Sequence, residues 1–314
     1  MNVEYIPLQR EQAGVFDTIA QLWNAACGPD LTIQARAVEY YTRPTPGVHR
    51  EGRIALVDGK PVGFVLADAV LDAQKPRACI DAVAVLPDFQ NKGIGRSLLN
   101  WAEGMARSHQ SAHISLGASP RWFAAGLPAQ MQNRAIFERF GYQFAPEMVW
   151  DCARSLKDYQ SPERVHRIEG DVHSLQPGEL DEFLHLLQRD FSGGWDLDVR
   201  EHLRECGPLE DFIVLRTTHG LDAFCWITHA GSFRPLDRYF LHGLPRPWGQ
   251  LGMVGVAEDQ RGSGLSLKLL DGALQHLVAL GVDGCVIDWT GYLSLYAKLG
   301  FRPYRCYYSG RKEM

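Results

Sequence analysis

Apolar and polar positions along the chain form two successive series of short strands and amphipathic helices. The first series opens with a predicted strand at 3–7 and a helix that carries Phe16, Ile19, Leu22 and Trp23 on one face. The elements predicted after them are strands at 53–57, 61–70 and 78–86, a helix from residue 94, a strand at 113–116, a helix at 130–140 and a strand pair at 143–152.

The second series repeats that order after a polar connector, KDYQSPER, at 157–164. Its predicted elements are a helix through 180–187, strands at 212–216, 222–228 and 252–256, a helix from residue 265, a strand at 284–289, a helix at 292–299 and terminal strands at 301–308. We therefore expect an α/β fold of two tandem domains, at 1–156 and 165–314, joined by the linker 157–164. Each domain is expected to be a mixed, mostly antiparallel sheet flanked by helices.

One segment occurs twice. Residues 83–99 read VAVLPDFQNKGIGRSLL, and 171 positions later residues 254–270 read VGVAEDQRGSGLSLKLL, with six identities and no gap. Each copy is an apolar strand, a turn with an acidic residue, a Gly-rich loop and an amphipathic helix. A strand that delivers a glycine loop to a helix N-terminus is a recurrent way of holding phosphate, because unpaired N–H groups converge there. The pattern indicates a phosphate-binding loop in each half.

Composition excludes several classes of protein. A net charge of −5 without a basic stripe argues against nucleic acid as a partner. No apolar run approaches the roughly 20 residues that span a bilayer, and the N-terminus does not resemble a secretory signal, so we expect no membrane association and a cytoplasmic protein. The seven cysteines lack CxxC spacing and the eleven histidines form no HExxH motif, which favours reduced thiols and predicts no metal. We expect a monomer or a homodimer.

These motifs resemble the GNAT superfamily of acetyl-CoA-dependent N-acetyltransferases, present twice in tandem. The family's loop signature is Gln/Arg-x-x-Gly-x-Gly/Ala. Residues 90–95 (QNKGIG) match it fully, whereas residues 261–266 (RGSGLS) have Ser266 at the last position. A second signature is a Gly-aromatic pair that closes a helix, often preceded by Tyr four residues before the glycine. It corresponds to Tyr296 with Gly300-Phe301, and in the first half to Phe137 with Gly141-Tyr142.

The resemblance implies that acetyl-CoA is the cofactor, with its pantetheine arm along the motif strand and its pyrophosphate on the loop. Ser266 is expected to narrow the approach of the second loop's backbone to the pyrophosphate. The residues that the resemblance assigns to the cofactor are Val83, Ala84, Val85, Gln90, Asn91, Lys92, Gly93, Ile94, Gly95, Arg96, Val254, Gly255, Val256, Arg261, Gly262, Ser263, Gly264, Leu265 and Ser266.

Acetyl transfer requires a neutral amine to attack a thioester and a thiolate to leave. A phenol near the sulfur can protonate that thiolate, which is the role the resemblance implies for Tyr296 and which Phe137 cannot perform. Candidate bases are Asp81, on the first motif strand, and Asp288, at the end of a strand in the second half. Each of these residues also has a structural alternative. Tyr296 can be a core residue, Asp81 a strand-end hydrogen-bond partner and Asp288 a helix cap.

The resulting hypothesis is an N-acetyltransferase that acts by direct attack in a ternary complex on a primary amine of a small-molecule or peptide acceptor. The alternative is a non-catalytic tandem module that binds acetyl-CoA as a regulatory or structural ligand. A dinucleotide oxidoreductase is disfavoured because Leu98 stands where GxGxxG needs its third glycine. Residues 120–128 (PRWFAAGLP) are interpreted as packing between the halves, and Trp195, Tyr239 and Phe240 as possible acceptor contacts.

Overall fold

A computed structural model describes residues 1–71, 76–235 and 244–314. Tyr239 and Phe240 therefore lie outside the described residues. The strands are Val3–Pro7 (β1), Val48–Val57 (β2), Lys60–Val70 (β3), Arg77–Val85 (β4), His113–Leu116 (β5), Leu127–Pro128 (β6), Gln143–Ser155 (β7), Asp171–Ser174 (β8), Phe212–Thr217 (β9), Gly220–Thr228 (β10), Trp248–Val256 (β11), Gly284–Thr290 (β12) and Arg302–Glu313 (β13).

The α-helices are Val15–Cys27 (α1), Ala35–Tyr41 (α2), Ile94–Ser108 (α3), Arg134–Arg139 (α4), Leu180–Asp190 (α5), Gly194–Arg204 (α6), Leu265–Ala279 (α7) and Leu293–Ala297 (α8). The described residues form two compact units. Unit 1 contains residues 1–149 and 305–314, and unit 2 contains residues 150–235 and 244–304.

Unit 1 is a mixed sheet between two apolar layers. Its strand order is β1-β2-β3-β4-β5-β13-β7, and β4 runs parallel to β5 while β1 to β4 are antiparallel. Helices α1 and α2 pack on one face, against residues such as Phe64 and Leu66. Helices α3 and α4 pack on the other face, against the alternate residues Val65 and Ala67. This alternation is the period-2 pattern that the sequence predicts.

Unit 2 repeats this arrangement with the strand order β7-β12-β11-β10-β9-β8. Here β11 runs parallel to β12, and the neighbouring pairs β8-β9, β9-β10 and β10-β11 are antiparallel. Residues of α7 and α8 pack on one face of the sheet and residues of α5 and α6 on the other. The predicted mixed, mostly antiparallel sheet flanked by helices is confirmed in both halves.

Three predicted elements differ from the structure. The strand pair at 143–152 is one strand, β7, and the terminal strands at 301–308 are one strand, β13. The division into units falls within both strands: 143–149 of β7 belong to unit 1 and 150–155 to unit 2, and β13 begins in unit 2 and ends in unit 1. The domain boundaries expected at 156 and 165 stay a prediction. The helix predicted at 130–140 is shorter, because Gln132 has a φ of 53° and α4 begins only at Arg134.

Candidate active site

The two central strands of unit 1 separate at a bulge. Pairing between β4 and β5 ends with Ile80 and Leu116, and the register between β3 and β4 shifts at the same point, which leaves Asp81 as the extra residue of a β-bulge. Residues 82–85 continue along β3 only. The predicted cofactor residues Val83, Ala84 and Val85 lie on this segment, so its backbone groups that face away from β3 have left the β5 ladder.

Unit 2 repeats this separation. Pairing between β11 and β12 ends with Leu251 and Ile287, and the register between β10 and β11 shifts between Phe224 and Trp226. Met253 has a φ of 49°, which locates the distortion on β11. The predicted residues Val254, Gly255 and Val256 follow it, in the same position as their counterparts in unit 1.

The loop of unit 1 delivers its backbone to the N-terminus of α3. Asn91 has a φ of 59°, and Gly93, with a φ of 87°, is the N-cap of the 15-residue helix. The Gln90 side chain donates a 3.0 Å hydrogen bond to the Val85 carbonyl, which ties the loop to the end of its strand. The first N–H groups of a helix have no intrahelical acceptor, so this exposed loop can present donors to an anion.

The loop of unit 2 has the same backbone conformation. Gly262 has a φ of 85° where unit 1 has Asn91, and Gly264, with a φ of 94°, is the N-cap of the 15-residue α7. Arg261 donates to the Val256 carbonyl, as Gln90 does to Val85, at 3.4 Å. Three features therefore occur at equivalent positions of the two repeats: a hydrogen bond from the loop to the end of the preceding strand, a residue with positive φ and a glycine N-cap with positive φ.

The loops differ in charge and in space. Lys92 and Arg96 flank the first loop, and their counterparts in the second are Ser263 and Leu267. In the part of the chain that the structure describes, a Cβ placed on Gly93 would meet nothing within 4 Å, whereas one on Gly264 would lie 3.2 Å from Ile168 Cδ1. The first loop is therefore more open and more cationic.

That Ser266 narrows the approach of the second loop to a pyrophosphate stays a prediction, because packing within the protein does not test it. At the equivalent Gly95 of unit 1, a Cβ would have Val85 Cγ2 as its nearest described neighbour, at 3.8 Å. That distance is ordinary van der Waals contact, so a side chain at this position fits the local structure.

A cavity of about 70 Å³ lies where β4 separates from β5. By the same measure one water molecule needs about 10–15 Å³. The cavity is bounded by residues from both faces of the sheet and by the loop 117–128. Its lining includes Trp23, Cys27, Leu31, Ile80, Asp81, Val83, Leu116, Gly126, Met131, Asn133 and Phe137. The insertion at 120–128 therefore forms part of the cavity wall in unit 1.

Asp81 is the carboxylate of this cavity. Its side chain is buried, and its Oδ1 accepts a 2.7 Å hydrogen bond from the backbone N–H of Phe123. Oδ2 has no hydrogen-bond partner among the residues that the structure describes, and it lies 3.6 Å from Arg50 Nη2. Burial raises the pKa of the Asp81 carboxyl well above its usual range, against the opposing effect of Arg50.

Unit 2 carries the other two predicted catalytic residues. Tyr296 on α8 is buried and hydrogen-bonds to Thr290, and burial raises the pKa of its phenol. Its counterpart Phe137 lines the cavity of unit 1. Asp288 lies at an irregularity of β12, beside Trp289, whose N–H donates to Asp151 Oδ1 at 3.1 Å.

The structure separates the candidates by unit. Asp81 and Phe137 line one cavity in unit 1, while Asp288 and Tyr296 belong to unit 2, where the position of Asp81 is taken by Gly252. Arg50 and Asp68, which contact each other beside Asp81, were not predicted. The only signal for Asp68 was a charged residue inside the apolar run FVLADAV.

In the described residues, no helix has the length and apolarity to cross a membrane, and no cluster of three or more metal-binding side chains is found.

A model of a known protein family matches part of the first half of the chain. Residues 17–142 match the family model described as "Acetyltransferase (GNAT) family". This region contains β2 to β5, the first loop, the cavity and Asp81. Over these residues the chain is similar to the GNAT acetyltransferases, and the match supports an acyltransferase, as the loop motif predicted.

The curated relatives are mycothiol acetyltransferases. The protein of Geodermatophilus obscurus is 26% identical over 245 residues, which cover 70% of this chain and 69% of the relative. The protein of Corynebacterium aurimucosum is 30% identical over 119 residues, covering 35% of this chain and 36% of the relative.

Solved structures agree on the tandem fold. The chain is similar to a GCN5-related glucosamine N-acetyltransferase region of a fungal multi-domain GH3 β-N-acetylglucosaminidase, with a TM-score of 0.87 and 23% identity over 99% of this chain and 38% of that chain. A tandem GNAT protein from the clavulanic acid biosynthesis pathway has a TM-score of 0.68 and 15% identity, covering 99% and 98% of the two chains. These neighbours support the two-domain arrangement.

Proposed function

We propose that the chain transfers an acetyl group from acetyl-CoA to a primary amine by direct attack in a ternary complex, and that unit 1 performs the transfer. The observation that carries this proposal is the cavity at the β4-β5 separation, which is lined by the buried Asp81, a carboxylate whose Oδ2 has no hydrogen-bond partner among the described residues. An ammonium or amine N–H is the group that this oxygen lacks.

The residues of unit 1 fit acetyl-CoA, which supplies the activated acetyl group when bound. Residues 91–96 would hold its diphosphate, because the loop is exposed, ends at a helix N-terminus and carries Lys92 and Arg96. Residues 83–85 would hold the pantetheine arm through backbone groups that have left the β5 ladder. Apolar side chains such as Leu116 and Phe137 would exclude water from the acetyl group.

Asp81 would take one proton from the acceptor's ammonium, so that a neutral amine attacks the carbonyl carbon. A carboxylate whose pKa is raised toward neutrality is a better base for this step than an ordinary one. Backbone N–H groups at the bulge would stabilise the carbonyl oxygen as it gains charge. Phe137 supplies no proton to the thiolate, so in unit 1 that proton must come from solvent or from the attacking nitrogen.

The relatives guide the choice of acceptor. Two relatives are named mycothiol acetyltransferases, and one structural neighbour is titled a glucosamine N-acetyltransferase region, glucosamine being a small amine. We therefore place a small amine, with amino sugars first, ahead of a peptide terminus. We also propose a cytoplasmic location, which agrees with seven cysteines that are all free thiols.

The second candidate places transfer in unit 2, with Tyr296 as general acid and Asp288 as base. It is favoured by the position of Tyr296, whose counterpart Phe137 lines the cavity of unit 1. The absence of a carboxylate at Gly252 favours instead a unit 2 that binds acetyl-CoA without turnover.

The test disables one loop at a time. Gly93→Asp and Gly264→Asp each place a negative charge at the helix cap facing the diphosphate, and Gly93→Asn and Gly264→Asn are neutral controls of the same shape. Release of CoA thiol is measured over a panel of amino sugars, amino acids and polyamines. Loss of turnover in Gly93→Asp but not in Gly93→Asn supports the proposal.

Three other outcomes are informative. Loss of turnover only in Gly264→Asp transfers catalysis to unit 2. Binding of acetyl-CoA by calorimetry without thiol release for any amine would favour the binding module. No heat with CoA or acetyl-CoA, from folded protein, would contradict both.

A further inference from the structure

Two buried carboxylates share one guanidinium in unit 1. Arg50 on β2 donates from Nε to Asp68 Oδ1 at 2.6 Å and from Nη2 to Asp68 Oδ2 at 2.5 Å. Asp68, on β3, has a fully buried side chain, and that of Arg50 is only 10% exposed. Such a bidentate pair fixes the plane of the guanidinium as well as its distance.

Further contacts hold Arg50 in that orientation. Its Nη1 donates to the Tyr41 carbonyl at the end of α2, and its Nη2 also lies 3.3 Å from Ser119 Oγ and 3.2 Å from the Arg121 carbonyl. Arg50 thus contacts α2, β3 and the loop after β5. These contacts leave the guanidinium 3.6 Å from Asp81 Oδ2, which is beyond hydrogen-bond distance.

Besides Arg50 and Asp68, uncharged groups of the described residues face Asp81. From the loop after β5 come the Phe123 N–H, which donates to Asp81 Oδ1, and the Ser119 hydroxyl, and from β4 itself comes the buried thiol of Cys79. From α1, Cys27 lines the same cavity as a thiol whose pKa burial raises to about 12. The cluster of Arg50, Asp68 and Asp81 therefore balances only when one of its two carboxyls is protonated.

We propose that Asp68 is a positioning residue for the reaction: by holding Arg50 with both carboxylate oxygens it keeps the guanidinium from donating a hydrogen bond to Asp81, so that Asp81 is the carboxyl that exchanges a proton with the acceptor. This inference rests on the proposed function of unit 1. The proton leaves the acceptor's ammonium nitrogen and binds Asp81, which gives a neutral amine and a neutral carboxyl. With that proton in place, the pair of Arg50 and Asp68 is the only charge pair left in the cluster.

The test is Asp68→Asn in the full chain, with Glu103→Gln as the matched control. Glu103 is also a buried carboxylate of unit 1, paired with Lys312 at 2.7 Å, but it lies on α3 and not in the cluster of Arg50, Asp68 and Asp81. In Asp68→Asn, Asp81 is the one carboxylate partner that Arg50 keeps among the described residues. We expect the acid limb of the pH profile of kcat/KM to move to lower pH, kcat on the plateau to fall a few-fold, and KM for acetyl-CoA to stay unchanged. Glu103→Gln should leave the profile in place.

Titration of Asp81 gives a readout that does not need turnover. The carboxyl carbon of Asp81, assigned through Asp81→Asn in protein labelled with ¹³C aspartate, should titrate at lower pH in Asp68→Asn than in wild type. The double variant Arg50→Gln with Asp68→Asn removes both charges, and there the Asp81 carboxyl should titrate above wild type. If Asp68→Asn does not fold, the double variant alone decides the sign, because it removes the buried unpaired cation.

The two proposals fail differently. If Asp81→Asn abolishes transfer but neither variant moves the acid limb or the carbon titration, the positioning role of Asp68 is wrong and the catalytic role of Asp81 stands. If the titration moves as expected but transfer is insensitive to Asp81→Asn, the cluster works as described and catalysis lies elsewhere.

Discussion

Units 1 and 2 share a backbone design and differ in the side chains placed on it. Both have a bulge where the central parallel pair separates, a left-handed glycine cap and a tie from the loop to the preceding carbonyl. Unit 1 adds Asp81, Lys92 and Arg96, while unit 2 has Gly252, Ser263 and Leu267 at these positions. In the function that we propose, the repeated backbone supplies a place for a thioester, and the chemistry depends on the few side chains that differ between the copies.

The largest expected effect separates the two candidate bases. Asp81→Asn should lower kcat by about 10²–10⁴-fold, the usual contribution of a positioned general base. Asn keeps an oxygen that can accept from Phe123 N–H, so the fold is retained. Asp288→Asn is the matched change in unit 2, and steady-state kinetics of both variants would reverse the assignment if Asp288→Asn alone lost activity.

The next effect isolates unit 2. In a Gly93→Asp background, any remaining transfer must use the second loop, and Tyr296→Phe should lower that remainder by about tenfold or more if its phenol protonates the thiolate. Residual turnover with the best acceptor is the measurement. A remainder that is insensitive to Tyr296→Phe would leave this tyrosine a core residue, in keeping with its packing beside Phe301.

A smaller effect tests the charge difference between the loops. Lys92→Ser gives the first loop the residue of the second, and it should raise KM for acetyl-CoA by about 2–5-fold, the range expected for an exposed ion pair worth up to about 1 kcal/mol. The difference from wild type should shrink as salt is added, because an exposed pair is screened. The reciprocal change, Ser263→Lys, should tighten the binding of acetyl-CoA to unit 2. An unchanged KM in Lys92→Ser would show that the backbone donors of the first loop suffice to hold the diphosphate.

The smallest effect concerns stability. Burial raises the pKa of Asp81 in the folded protein. Between the ordinary carboxyl pKa and this raised value, the folded protein therefore keeps a proton on Asp81 that the unfolded chain has already lost. Wild-type stability therefore falls as pH rises from the ordinary carboxyl pKa of about 3.9 to the raised value. Asp81→Asn lacks this loss, so its thermal midpoint should exceed that of wild type by an amount that grows with pH over this window. Calorimetry at pH 4 and pH 8 checks the sign, and a difference that shrinks with pH would mean that Asp81 is not buried with a raised pKa.

The loops could be predicted because their conformation depends on local residues. Gly93 and Gly264 are left-handed caps, a conformation that glycine adopts without strain, and the segments that lead into the loops, 82–86 and 253–257, are apolar. The cluster of Arg50, Asp68 and Asp81 could not be predicted. It depends on the register of three strands and on a bulge at Asp81, and neither is encoded in the spacing of these residues.

The assignment of most of β13 to unit 1 limits how the protein can be divided into fragments. The C-terminal residues 305–314 belong to unit 1, in which β13 pairs with β5. A fragment cut at the connector would therefore lack β13 and leave β5 with an open edge, prone to association with other chains. Each half is best studied by silencing the other within the intact polypeptide.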